Sequence, residues 1–146
     1  MDGLSIPRAH LERMRAHVAS LAPLEACGLL AGRGGRVQAV LPVTNKAGSS
    51  TRFVMDPIEQ LRAFDWIEAR GLELLAIFHS HPAGPEMPSG TDIEEAAYQV
   101  VQVIWSRPDG TWSPRLYRIE DRQVRQVSLQ VLADGSGDPP SSAIPA

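Results

Sequence analysis

The sequence has little of three things: cysteine, positive charge and long apolar runs. Its one cysteine, Cys27, excludes a disulfide within the chain and a zinc cage built from several thiolates. The net charge of -3 does not favour nucleic acid as the main partner, because nucleic-acid binding usually requires a basic face. No apolar stretch approaches the ~20 residues of a membrane span, and residues 1–11 lack the apolar run of a signal peptide. These absences predict a cytoplasmic protein with no nucleic-acid or membrane partner.

The length and composition fit one globular domain. A chain of 146 residues that is 43% hydrophobic is large enough to bury a core without covalent staples. From residue 133 onward it is mostly Gly, Pro, Ser, Ala and Asp, with almost nothing to bury. We therefore predict a folded domain over residues 1–132 and a disordered tail over 133–146.

Hydrophobic periodicity predicts an α/β fold with a mixed sheet flanked by helices. Asp56-Pro57 followed by Glu59 is a strong helix start, and the nearly unbroken apolar run over 72–78 is typical of a strand covered on both faces. The predicted helices are 7–21, 56–71 and 89–98. The predicted strands are 27–31 and 37–43, paired as a hairpin, then 53–55, 72–78, 100–105, 115–119 and 123–127, the last two forming a second hairpin.

Two histidines stand at the end of the predicted central strand. Side chains at i and i+2 of a strand point the same way, so His79 and His81 can face one ion while Ser80 faces elsewhere. After Pro82 and a loop rich in Pro and Gly, Asp92 supplies a carboxylate. Two imidazoles and one carboxylate suit zinc and leave a fourth position open, as catalytic zinc sites do. The spacing predicts a metal site built from His79, His81 and Asp92.

Two plainer interpretations compete with this one. Ser89 and Asp92 also have the spacing of a capping box, which would need only to start a helix, although capping and catalysis are compatible. Cys27 could serve as a nucleophile with His79 as its base. In that scheme the His-x-His-Pro spacing has no purpose, so a buried apolar cysteine is the better interpretation. Glu25, taken alone, resembles an ordinary solvated loop acid.

The motif His79-Ser80-His81-Pro82, followed by six residues, Ser89, two residues and Asp92, resembles the signature of JAMM (MPN-plus, Mov34-like) zinc metallopeptidases. The segment from Glu25 to Gly32 is similar to the first strand of that family, and the likeness extends over about residues 6–127 to its compact stand-alone bacterial members. It implies an MPN-like fold with cytidine-deaminase-like layering. It implies one zinc ion per chain held by His79, His81 and Asp92, with Glu25 as general base and Ser89 as the donor to the oxyanion.

The same resemblance implies a substrate class. Such enzymes hydrolyse a peptide or isopeptide bond after the Gly-Gly tail of a ubiquitin-like or sulfur-carrier protein. Two other interpretations stay open: a non-catalytic MPN-type protein-binding scaffold, and a relative of the DNA-repair-associated members, whose motif Ala83-Gly84 and Pro88-Ser89 echo. A homodimer is also left open. A zinc nucleobase deaminase is excluded because its Pro-Cys-x-x-Cys motif requires two cysteines and the chain has one.

Overall fold

The computed structural model describes residues 3–96 and 99–133, and within them eight strands form one sheet with three helices around it. The helices are α1 (Arg8–Leu21), α2 (Pro57–Ala69) and α3 (Gly90–Glu94). The strands are β1 (Leu4–Pro7), β2 (Cys27–Arg33), β3 (Arg36–Val43), β4 (Glu73–His81), β5 (Val101–Ser106), β6 (Ser113–Glu120), β7 (Gln123–Val127) and β8 (Leu129–Leu132). Their order across the sheet is β7-β6-β5-β4-β2-β3-β1-β8. The predicted mixed sheet flanked by helices is confirmed.

Strand β4 lies at the middle of the sheet, antiparallel to β2 and parallel to β5. Its neighbouring residues Ile77 and Phe78 belong to two different apolar clusters, one on each face. Helix α1 covers the Phe78 face through Met14 and Val18, while α2 covers the Ile77 face. The continuous apolar run of β4 is therefore explained by burial on both sides.

Both predicted hairpins form. Strands β2 and β3 pair antiparallel on either side of Gly34 and Gly35, whose φ angles of 59° and 76° lie in the left-handed region that glycine adopts without strain. Strands β6 and β7 pair around Asp121 and Arg122. Helix α2 begins as predicted, because the Asp56 side chain accepts hydrogen bonds from two backbone N–H groups of the first turn.

Several predicted elements differ from those observed. Strands β1 and β8 were not predicted; they pair in parallel, with Leu4 opposite Leu129, and each is too short to show a period of its own. The predicted strand 53–55 is wrong, since it makes only an isolated bridge between Asn45 and Met55. The predicted helix 7–21 starts one residue later, with Pro7 ending β1.

Two predictions reach residues outside the described ones. The predicted helix 89–98 is too long, since α3 ends at Glu94 and Glu95 is its C-cap; Tyr98, the predicted end, lies outside the described residues. The predicted tail over 133–146 also lies outside them, apart from Ala133. None of the helices in the described residues is long and apolar enough to cross a membrane.

A substitution at Gly28 tests the packing between β2 and β4. A Cβ atom there would lie 2.4 Å from the Phe78 ring and 2.7 Å from the Leu41 carbonyl oxygen. We expect Gly28→Ala to lower the free energy of unfolding by about 1–3 kcal/mol, as overpacking usually does, in urea titrations. Gly90→Ala is the matched control, because a Cβ at Gly90 meets nothing within 4 Å. Equal stability of the two variants would contradict the packing described here.

Candidate functional site

His79 and His81 are among the last residues of β4, and their rings point to the same place. Their Nε2 atoms are 3.0 Å apart, and both residues are buried. Ser80 between them faces the other way, and its hydroxyl accepts a 2.8 Å hydrogen bond from the Ala26 N–H. Strand alternation therefore directs the two imidazoles to the site and the serine to the neighbouring chain segment.

Asp92 reaches the same place from α3. Its Oδ2 atom lies 3.2 Å from His79 Nε2 and 3.0 Å from His81 Nε2. The same oxygen accepts a 2.8 Å hydrogen bond from the Ser89 N–H, and the Ser89 hydroxyl accepts one from the Asp92 N–H. The capping box is thus present, and its carboxylate oxygen also joins the two histidines. The capping box and the contact of Asp92 with the two histidines are therefore compatible, and the functional roles of Ser89 and Asp92 stay predictions.

This triangle of atoms fits a metal ion. Ligand atoms around tetrahedral zinc, each about 2.0–2.2 Å from the ion, lie roughly 3.3–3.6 Å from one another. The three distances of 3.0–3.2 Å between His79 Nε2, His81 Nε2 and Asp92 Oδ2 are close to that. Two imidazole nitrogens that face each other at hydrogen-bond distance can share only one proton. A shared cation accounts for the convergence of all three lone pairs.

Different contacts orient the two rings. His81 Nδ1 donates a 2.8 Å hydrogen bond to the Pro85 carbonyl oxygen, so the tautomer presents the Nε2 lone pair to the site. The His79 ring instead stacks on Phe53, with centroids 4.5 Å apart and planes 28° from parallel. A hydrogen bond fixes one imidazole, and packing fixes the other.

Glu25 is buried beside the triangle, with only 3% of its surface exposed. One of its carboxylate oxygens lies within 4.8 Å of a ring nitrogen of each histidine. Among the described residues, its Oε1 atom has no hydrogen-bond partner. The interpretation of Glu25 as a solvated loop acid is therefore wrong. Asp92 Oδ2 lies within 3.2 Å of both Nε2 atoms, so the carboxylates of Glu25 and Asp92 are both within reach of an ion shared with the two histidines.

Burial and hydrogen bonding act in opposite directions on the two carboxyl groups. The pKa of Glu25 is raised to about 7, chiefly by burial, with the charge of His81 acting to lower it and that of Asp92 to raise it. Burial would also raise the pKa of Asp92, but hydrogen bonds with His79, His81 and the Ser89 N–H hold it well below its usual range. One acid is thus kept ionised, and the other is poised to take up and release a proton near neutrality.

The two histidines also differ. Burial lowers the pKa of His79 despite its contact with Asp92. Burial acts in the same direction on His81, but hydrogen bonds to Asp92 and Pro85 outweigh it and raise the pKa of that ring. A metal ion requires both rings neutral, so its binding would compete with the proton on His81.

The thiol alternative is not supported. Cys27 is fully buried in the apolar cluster under α2, and its Sγ atom contacts the Val43 carbonyl oxygen at 3.4 Å. Burial raises the pKa of Cys27 to about 12, with Glu25 and Glu59 adding to the effect. The nucleophilic thiolate is therefore scarce at neutral pH, and Cys27 acts as a small core residue.

A cavity of about 300 Å³ opens next to Asp92. Its walls include the side chains of Phe53, Val54 and Ile77, and Gln102 adds a polar group. It is largely apolar with a few polar groups near the candidate metal ligands, as substrate pockets generally are.

Sequence reasoning assigned no role to two residues that shape the site. Phe53 covers one face of His79, and Ser80 ties β4 to the segment that carries Glu25. Strand alternation predicts that Ser80 faces away from the two histidines, but it does not identify Ala26 as the residue that bonds to the Ser80 hydroxyl. Nothing in the residue pattern around Phe53 points to His79, because that contact depends on how a loop folds.

The burial of Glu25 predicts how stability changes with pH in chelator-treated protein. The unfolded chain loses the Glu25 proton near the ordinary value of 4.5, whereas the folded state keeps it until about 7. The folded state therefore binds more protons in that window, and its stability falls as the pH rises through it. We expect the stability of Glu25→Gln relative to the parent to increase by about 2–3 kcal/mol between pH 4.5 and 8. Urea titrations at both pH values measure this, and a constant difference would contradict it.

The chain is similar to known proteins over most of its length. A family model described as prokaryotic homologs of the JAB domain matches residues 7–120. A probable TtuB-protein conjugate cleaving protease of Thermus thermophilus is 43% identical over 130 residues, which are 88% of this chain and 83% of the relative. A CysO-cysteine peptidase of Mycobacterium tuberculosis is 34% identical over 126 residues, covering 82% of this chain and 84% of that protein.

A solved structure agrees with the fold. A protein from Desulfitobacterium hafniense superposes with a TM-score of 0.81 at 32% identity, covering 90% of this chain and 94% of that one. The family match spans β2, β4 and α3, and thus includes all the residues of the triangle and Glu25. The predicted JAMM resemblance is confirmed, and the chain belongs to the family of prokaryotic homologues of the JAB domain.

Proposed function

We propose that this protein is a zinc metallopeptidase that hydrolyses the peptide or isopeptide bond following the Gly-Gly tail of a ubiquitin-like or sulfur-carrier protein. The observation that carries the proposal is the convergence of His79, His81 and Asp92 within 3.2 Å of one another, with buried Glu25 alongside. The names of the relatives, a conjugate-cleaving protease and a CysO-cysteine peptidase, support the substrate class.

In this proposal His79, His81 and Asp92 hold the zinc ion. Zinc supplies Lewis acidity, which lowers the pKa of water and polarises a carbonyl group. Glu25 takes a proton from the attacking water and later gives it to the leaving amine, which suits a carboxyl group with a pKa of about 7. Glu25 is suited to this work because its carboxylate lies within 4.8 Å of both histidine rings and its Oε1 atom has no hydrogen-bond partner among the described residues.

Ser89 has the hydrogen-bonding capacity for its proposed role. Its oxygen already accepts a bond from the Asp92 N–H, which leaves the hydroxyl proton for another acceptor. In the proposal that proton is donated to the carbonyl oxygen of the scissile bond, where negative charge develops.

The cavity beside Asp92 is the proposed path of the substrate tail. Its lining includes Phe53, Val54 and Ile77 together with Asp92. Glycine residues suit a passage with bulky walls, because they add no side chain and accept any backbone direction. We also propose that the protein acts in the cytoplasm, where its buried, unpaired Cys27 stays reduced.

The deciding experiment incubates the zinc-loaded protein with ubiquitin-like and sulfur-carrier proteins whose Gly-Gly tails carry a C-terminal extension or an isopeptide-linked lysine. Mass spectrometry should show a new terminus after the second glycine, and a chelator should abolish the reaction. Glu25→Gln is expected to keep stoichiometric zinc while kcat falls by about 10²–10⁴-fold. Stoichiometric zinc without cleavage of any substrate would instead favour a non-catalytic scaffold.

Ser89 provides a second test. We expect Ser89→Ala to lower kcat by about 10²–10³-fold, the usual loss for an oxyanion donor, and to cost about 1 kcal/mol of stability through the lost helix cap. Ser89→Thr keeps the hydroxyl and is the matched control. Kinetics on the same substrates together with urea titrations separate the two effects. If Ser89→Thr lost all activity, the size of the side chain and not its hydroxyl would matter, and the proposed hydrogen bond would not be supported.

A further inference from the structure

Glu25 lies outside the regular elements, so other contacts must fix its position. It follows the end of α1 and precedes β2. Its N–H donates a 2.8 Å hydrogen bond to the Ser49 carbonyl oxygen, and its own carbonyl oxygen accepts one of 3.0 Å from Asn45 Nδ2. Both backbone groups of Glu25 are therefore held by one loop, residues 45–55, which we term the clamp loop.

The side chain of Asn45 organises the clamp loop. Its Nδ2 atom donates to the carbonyl oxygens of Glu25, at 3.0 Å, and Arg52, at 3.1 Å. Its Oδ1 atom accepts from the N–H groups of Ala47, at 3.1 Å, and Val54, at 3.0 Å. A primary amide has two donor protons and two acceptor positions, so all its capacity is used. If the amide were rotated by 180°, its NH₂ group would face the N–H groups of Ala47 and Val54, and its oxygen would face two carbonyl oxygens. The hydrogen bonds therefore fix the orientation described.

The clamp loop also contacts the metal site and the cavity. Phe53 stacks on His79, and Val54 lines the cavity beside Asp92. On the other side of Glu25, the Ala26 N–H bonds to the hydroxyl of Ser80, which lies between the two histidines on β4. Glu25 is therefore tied to the sheet through Ala26 and to the cavity wall through Asn45.

We propose that Asn45 is a positioning residue for Glu25, holding its backbone so that the carboxylate stays beside His79 and His81. The inference rests on the base role given to Glu25 in the proposed function. Among the described residues, the Asn45 side chain hydrogen-bonds to Glu25 and to three residues of the clamp loop, so its effect on the triangle passes through them. A base displaced by about 1 Å can cost about 10²-fold in rate.

Two variants of Asn45 test this role: one keeps an acceptor oxygen at this position, and the other removes both polar groups. Asn45→Asp keeps an oxygen for the Ala47 and Val54 N–H groups but loses the amide N–H groups that donate to Glu25 and Arg52, and Asn45→Ala loses the donors and the acceptor. We expect kcat to fall by about 10–100-fold in each variant, with KM changed by less than about threefold, because catalysis and not binding is disturbed. Rates are expressed per folded, zinc-loaded molecule, from the metal content and the unfolding transition. Ser50→Ala, an exposed residue of the same loop, is the control and should keep the parent kcat and KM.

The outcomes are distinguishable from a failure of the proposed function. If Glu25→Gln is inactive while either Asn45 variant, folded and zinc-loaded, keeps kcat within twofold of the parent, the positioning role is wrong and the base role stands. A loss confined to KM would likewise overturn the inference and assign Asn45 to substrate binding. If Glu25→Gln itself keeps full activity, the proposed function loses its base and the inference fails with it.

Discussion

The site depends on the register between β2 and β4. Cys27 lies opposite His79 in that antiparallel pair, which places the residues just before β2 next to the histidines at the end of β4. Side chains alternate along a strand, so a slip of one residue would turn both imidazoles into the opposite core. The burial of Ile77 and Phe78 in separate clusters specifies this register strongly. The packing of the core on both faces of β4 thus fixes the relative positions of Glu25, His79 and His81.

The pKa values of the two acids of the site shift in opposite directions because the acids lie in different parts of the fold. Asp92 arrives at the start of a helix, where a backbone N–H and two imidazoles bond to its carboxylate and stabilise its charge. Glu25 arrives from a loop into a buried position where its Oε1 atom finds no donor among the described residues. Burial without compensation raises the pKa of a carboxyl group, and compensated burial lowers it. Two carboxyl groups of the same site therefore have opposite pKa shifts, which suits the proposed roles of Asp92 as a ligand and of Glu25 as a base.

The sequence predicted the central parts of this arrangement because their signals are local. The apolar run of β4, the two hairpins and the start of α2 each carry their own pattern, and the spacing of His79 and His81 needs only strand geometry. What it did not predict depends on distant partners. Strand β1 pairs with β8 near the other end of the described chain, and the burial of Glu25 requires the clamp loop to fold over it. Roles for Glu25 and Ser89 came from the family resemblance and not from the pattern.

Helix α3 is short, and other contacts must stabilise it. Five residues are far too few for a helix to persist in water by its intrinsic propensity. A capping box formed by Ser89 and Asp92 stabilises its first turn. The Asp92 carboxylate of that box also contacts the two histidines. One carboxylate oxygen therefore serves both the start of α3 and the contact with the two histidines. In the proposed enzyme, a change in the coordination of Asp92 would act directly on the first turn of this helix.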